Sequence, residues 1–161
     1  MQTNPYAPPK AEVDDVVSAE PSPPLWNPNA AASWSLVFSP AFGAFLHMKN
    51  WQALGEPRKA ASSKAWFIAS IAVLIGSTLL AAFLPDSMRF DRLSRIFGLV
   101  LLLSWYFSSG KEQVAVVKSR FGKTYLRRGW TKPLLIALGV FIGFIAFVIA
   151  IAAAAGSPQD V

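Results

Sequence analysis

Seven of the chain's fifteen Lys and Arg residues fall within 108–133, SSGKEQVAVVKSRFGKTYLRRGWTKP, against one acid, Glu112. That segment's net charge of +6 equals the charge of the whole chain, so the rest sums to zero. Clustered cations without a nucleophile or general base beside them bind anions and do not transform them. Lys and Arg interleaved with Phe121, Tyr125 and Trp130 resemble a groove that tracks phosphates and stacks bases. Between two apolar runs, however, the nearer polyanion is a lipid surface, and no nucleic acid is expected.

Other reactive groups are scarce. The chain has no cysteine, which excludes disulfides, thiolate nucleophiles and Cys-ligated metals. Its one histidine, His47, has no acidic neighbour before Glu56 and reads as structural. Asp86 and Asp91 alternate with Arg89, Arg92 and Arg95, a pattern of surface ion pairs worth under about 1 kcal/mol each. No acid or base lies within 65–84, 96–109 or 133–156, where a proton relay or charged-substrate path would place one. These absences point away from an enzyme, and no cofactor or metal is expected.

The elements that position the basic segment are apolar. Composition is 53% hydrophobic and 15% charged, against about one quarter charged in a soluble domain. Uncharged runs at 65–84 and 133–155 match the roughly 20 helical residues needed to cross a hydrocarbon core. Pro85 closes the first. A shorter run at 96–109 must return the chain between them. A further uncharged run, 30–48, carries Ser33, Ser35, Ser39 and Pro40; Asn27-Pro28 supplies an N-cap and first-turn proline before it. It is expected to cross as a fourth span, with a helix lying on the surface as the alternative. The expected fold is all-α: an integral membrane bundle of three to four transmembrane helices with a basic amphipathic cytoplasmic helix. The acidic, Pro-rich residues 1–25 form a disordered tail, and 26–161 the membrane domain.

With four alternating spans, eleven Lys and Arg fall on the side of the basic segment and four on the other, which places that segment in the cytoplasm. The tail then faces outward. Trp51, Trp66, Trp105 and Trp130 mark the inner boundary, and Trp26 and Trp34 lie towards the opposite face. Within the basic segment Val114, Val117, Phe121 and Tyr125 share a helical stripe, which predicts an interfacial helix over 111–128. Lys118, Arg120, Lys123, Arg127 and Arg128 around it are the candidate lipid-headgroup ligands.

The last span carries Gly139 and Gly143 in GxxxG spacing, continued by Ala146 and Ala150. Such a stripe lets helix backbones approach in lipid. Pairing with Ala65, Ala69, Ala72 and Gly76 inside one chain is favoured over a dimer seam.

Three blocks, TNPYAPPKAE, LWNPNAAASWSLVFSPAFGAFLHMKNWQALGEPRKA and GKEQVAVVKSRFGKTYLRRGWTKPLL, together resemble a group of small bacterial inner-membrane proteins with no assigned activity. The resemblance implies an α-helical, multi-pass protein of the bacterial inner membrane and transfers no functional residue. The expected role is a non-enzymatic component that binds anionic inner-leaflet lipids, a membrane-protein partner or a second copy. The alternative is a subunit of a small oligomeric transporter or pore.

Overall fold

A computed structural model describes residues 21–83 and 88–156. The first helix, α1 (Pro28–Phe38), starts where expected: the Asn27 side-chain oxygen accepts the N–H groups of Asn29 and Ala30 at 3.0 and 3.3 Å, and Pro28 supplies the first turn. It stops because Pro40 lacks an N–H and its ring disfavours a helical residue before it. Ser39 adopts φ 116° and ψ 161°, a conformation unfavourable for an L side chain. Its N–H still closes α1 on Ser35 O at 3.0 Å, and its carbonyl accepts Phe42 N–H at 3.1 Å to open α2 (Pro40–Ala53).

The two helices fold back on each other. His47, midway along α2, lies 3.1 Å from the carbonyl of Pro28 at the start of α1. Segment 30–48 is therefore a helix–break–helix hairpin whose ends meet, and the expected single crossing helix is corrected. Gly43 makes the close approach possible, since a Cβ there would collide with the Ser35 hydroxyl and the Trp105 indole.

A tight corner follows as expected. Gly55 takes φ 70°, Glu56 N–H bonds to Trp51 O at 3.0 Å, and Pro57 begins α3 (Pro57–Phe83). Among the described residues the antiparallel contact between α2 and α3 is the most extensive. Trp51, Ala60 and Ser63 are buried at the corner end, and Phe45 meets Phe67 at 5.6 Å further along. At 1.5 Å per residue α2 is about 21 Å long and α3 about 40 Å, so α3 continues well beyond the hairpin tip.

The chain returns through α4 (Met88–Trp105), one π-helical turn (Tyr106–Gly110) and α5 (Lys111–Phe121), with helical dihedrals across the π-to-α junction. The π turn sets the phase of this rod. In an unbroken helix Trp105 and Gln113, eight residues apart, would differ by about 80° around the axis. The wider turn removes most of that offset, and both side chains are fully buried. Helix α5 ends at Gly122, with φ 61° and its N–H on Lys118 O at 3.0 Å. The helix expected over 111–128 is thus seven residues shorter at its C-terminal end.

Segment 122–130 runs beside the N-terminal strand-like residues. Leu25 N–H bonds to Leu126 O at 2.9 Å and Arg128 N–H to Leu25 O at 2.8 Å, an isolated parallel bridge. Helix α6 (Thr131–Gly156) follows. The stretches Pro57–Ala82 and Thr131–Ala154 are long and apolar enough to span a membrane, and only 6% of the most apolar window in each is buried. A core helix of a soluble protein would be mostly covered, so this exposure points to a membrane. The packed core lies at the opposite level from the C-terminal ends of α3 and α6, around Leu25, Leu46, Trp51 and Trp105. The tail within 1–20 lies outside the described residues, as do Asp86 and the side chains of Arg89, Asp91, Arg92 and Arg95.

Candidate functional site

The core end is also the basic end, and a polar clamp holds it together. Asn50 treats the backbone of Trp26 as a strand neighbour would. Its side-chain oxygen accepts Trp26 N–H at 3.0 Å, and its amide donates to Trp26 O at 2.8 Å and to Gln113 Oε1 at 3.1 Å. Gln113 in turn donates to His47 O at 2.8 Å. These bonds link the residues before α1 to α2 and α5 in a buried setting where unmade bonds are costly.

His47 completes the clamp. Facing a carbonyl that only accepts, its Nε2 carries the proton and donates to Pro28 O. Its Nδ1 is then a buried acceptor without a partner, as Trp105 Nε1 is a buried donor without one. The two rings meet edge to face at 5.2 Å. Level with Trp26 and Gln113, His47 lies outside the two long apolar helices. Burial pushes its pKa down to about 4, against a smaller opposing effect of the Pro28 carbonyl, so it is neutral at pH 7.

On this base sit the five expected headgroup ligands. Lys118 and Arg120 are exposed on the last turn of α5, and Lys123, Arg127 and Arg128 lie in the segment after it. Arg120 is engaged, its guanidinium 2.9 Å from Glu56. Lys59 pairs with Glu112 at 3.1 Å and lies 4.7 Å from the Trp51 ring centre. The carboxylates of Glu56 and Glu112 are thereby taken. Arg128 stacks at 4.6 Å over Trp26, whose indole N–H donates to Gly129 O at 3.1 Å, and Arg127 lies 5.4 Å from the Tyr125 ring centre. Among the described residues no carboxylate pairs with Lys118, Lys123, Arg127 or Arg128. These four lie within one stretch of chain, 118–128, at the end of α5 and in the segment after it.

The apolar stripe expected to face lipid divides differently. Val117 is buried against the protein beside Gln113, Val114 and Phe121 are half-buried, and Tyr125 lies beyond the helix end. Trp26 is also relocated. Its bonds to Asn50 and Gly129 put it at the basic end with Trp51 and Trp130, not at the opposite face.

The small-residue stripe does not make the expected contact. A Cβ at Gly139 or Gly143 would meet nothing within 4 Å, and Ala146 and Ala150 are exposed. Its proposed partners Ala65, Ala69 and Ala72 are exposed as well. Helix α6 instead turns Ala137, Phe144, Val148 and Ile151 inward, and Phe141 reaches Phe38 edge to face at 6.4 Å. Close packing by small residues occurs elsewhere, through Ala41, Gly43 and Ala44 of α2 and Ala60, Ser63 and Ser70 of α3. Ser77 and Thr78 both donate to Leu74 O of their own helix, at 3.0 and 2.8 Å.

The residues that sequence reasoning missed are Asn50, Gln113 and Gly43, while Trp105, expected at the inner boundary, is fully buried in the core. Two uncharged amides in helices flanked by apolar and basic residues were the available signal for the clamp. No protein-family model, curated protein or solved structure matches the chain.

Proposed function

We propose that this chain is a non-enzymatic bacterial inner-membrane protein whose basic face binds anionic headgroups of the cytoplasmic leaflet. One observation carries the reading: four cations without a carboxylate partner among the described residues, Lys118, Lys123, Arg127 and Arg128, lie at the end from which both long apolar helices, α3 and α6, depart. Cations at the foot of two lipid-facing helices sit at headgroup depth, where each contributes about 1 kcal/mol of attraction to an anionic leaflet.

Three crossings follow, through α3, α4 and α6, with α1 and α2 as a hairpin that enters from the cytoplasmic side and returns. Non-crossing helices at membrane depth are tolerated where protein covers their backbone, and α3 covers one side of this hairpin. The tail now shares the side of the basic segment. Twelve of the fifteen Lys and Arg residues are then cytoplasmic, a stronger bias than the four-span arrangement offers.

Topology reporters test this directly. Fusions at the N-terminus and after Gly129 are expected to read as cytoplasmic, and one after Gly156 as periplasmic. A periplasmic N-terminus would refute the hairpin. For headgroup binding, the full chain in detergent is titrated with phosphatidylglycerol and phosphatidylcholine. Preference for phosphatidylglycerol should fall with salt and with Lys118→Gln, Lys123→Gln, Arg127→Gln and Arg128→Gln combined. An unchanged preference in that variant would refute the site.

A further inference from the structure

We infer that a groove between α1 and the end of α4 holds one acyl chain of a phospholipid, with the glycerol-ester region of that lipid at its polar end. The groove has a volume of about 220 Å³ and opens on the surface. Pockets that enclose a drug-sized ligand hold roughly 300–1,000 Å³, so this one suits a slender chain laid along it better than a compact molecule.

The helix directions give the groove two unlike ends. Pro28 and Trp105 both meet His47, so α1 begins at the level where α4 finishes. Phe38, at the far end of α1, reaches Phe141 partway along α6, so α1 runs outward beside the apolar helices. Asn29, Ser33 and Tyr106 therefore line the groove near the packed end, and Leu36, Leu102 and Leu103 line it further out. At 1.5 Å per residue Asn29 and Leu36 are about 11 Å apart along α1. One leaflet's half of the hydrocarbon core is about 15 Å deep, so the groove covers most of the length of one leaflet's chains.

The polar end offers donors and no charge. Asn29 gives its backbone N–H to the Asn27 side chain and its carbonyl to the Ser33 hydroxyl, and its side-chain amide is left over. The Tyr106 ring packs edge to face on Phe107 at 5.4 Å, and its hydroxyl makes no bond among the described residues. Trp105 lines the groove as well, and its indole N–H is a buried donor without a partner. A buried donor left unpaired is costly, which favours an occupant that brings an acceptor. Ester carbonyls accept hydrogen bonds and carry no charge, so the glycerol-ester region matches these donors whatever the headgroup.

The apolar end identifies the chain. Leu36 and Leu103 are exposed along the groove, and Val37 and Leu99 are exposed beside it, so the groove is continuous with surface that meets hydrocarbon. Helix α3 covers one side of the α1–α2 hairpin, and a lipid chain covers this one. The site rests on the membrane reading above and not on the cations of the basic face.

Photolabelling of the full chain in detergent tests it, with phosphatidylcholine carrying a diazirine in its acyl chain as the probe and mass spectrometry to map the label. Label at Leu36, Leu102 and Leu103 should saturate at one lipid per chain, while label at Ile136 and Val140, exposed on α6, should rise without saturating. Unlabelled phosphatidylcholine and phosphatidylglycerol should compete equally, and salt should have no effect. Ala32→Phe fills the groove and should abolish the saturable label; Tyr106→Phe removes one donor and should weaken binding about fivefold with the fold retained. Label spread evenly over the exposed helices, saturable label that survives Ala32→Phe, or a groove occupied by a second copy of the chain would overturn the proposal. Salt-sensitive preference of the groove for phosphatidylglycerol would overturn it as well. Saturable, headgroup-blind label in a chain that shows no phosphatidylglycerol preference anywhere would refute the headgroup reading and leave the groove supported.

Discussion

Replacing Asn50 by Ala isolates the clamp from the rest of the fold. The side chain makes three hydrogen bonds, to Trp26 N–H, Trp26 O and Gln113 Oε1, at 2.8–3.1 Å. A net hydrogen bond contributes about 1 kcal/mol, and a buried group left unpaired costs about 1–3 kcal/mol. Asn50 and Gln113 are almost wholly buried, whereas the Trp26 groups are only partly so. The full penalty therefore applies to the Gln113 oxygen and a smaller one to Trp26, for a total of about 3–4 kcal/mol. At about 2–4 °C per kcal/mol for a chain of this size, the midpoint of thermal unfolding in detergent should fall by roughly 10 °C. The six tryptophans supply the fluorescence signal. Hydrogen exchange at residues 22–28 should accelerate, because Asn50 holds both backbone groups of Trp26. A second variant, Asn50→Ala with Gln113→Leu, removes the stranded oxygen. It should cost about 1–2 kcal/mol less than the two single changes summed. A loss under about 1 kcal/mol for Asn50→Ala, with exchange at 22–28 unchanged, would refute the clamp.

Gly43→Leu should destabilise by more than about 3 kcal/mol, since even a Cβ collides with Ser35 and Trp105, while Gly139→Leu and Gly143→Leu should leave monomer stability within about 1 kcal/mol; melting curves of the three check both. His47 is held neutral in the fold and protonates more readily when unfolded, so its contribution is complete above about pH 6.5 and is lost as pH falls towards 4. The loss is roughly 3 kcal/mol, measured as stability against pH, and it should disappear in His47→Phe. Ser39→Gly relieves a φ of 116° and should raise stability by about 1 kcal/mol in denaturant titrations; a drop would show that the Ser39 side chain outweighs the strain.

Local signals carried much of the architecture. Asn27-Pro28 starts a helix, Gly55-Glu56-Pro57 turns a corner, and Pro57–Ala82 and Thr131–Ala154 are apolar over a membrane's thickness, each a consequence of neighbours along the chain. The concentration of positive charge was equally legible, because charge is a property of composition. The fate of 30–48 was not. Ser39-Pro40 announces a break, but a break alone allows either a kinked crossing or a return. The return is decided by bonds joining residues 24, 63 and 66 positions apart: Trp26 with Asn50, Asn50 with Gln113, and Gln113 with His47.

The packing faces show the same division for another reason. Helices α3 and α6 carry small residues on more than one side, so spacing identified where close approach was possible without saying where it occurs. Ala60, Ser63 and Ser70 are buried, while Gly139 and Gly143 face open space. What the sequence determined by itself was the helical class, the apolar exterior and the basic end, all of them sums over local residue types. Only the tertiary structure decided that the N-terminal hairpin turns back, that the π turn brings Trp105 and Gln113 to one side, and that Glu56 and Glu112 pair with Arg120 and Lys59. Those outcomes depend on which distant groups can satisfy one another once water is excluded, and no local pattern encodes that choice.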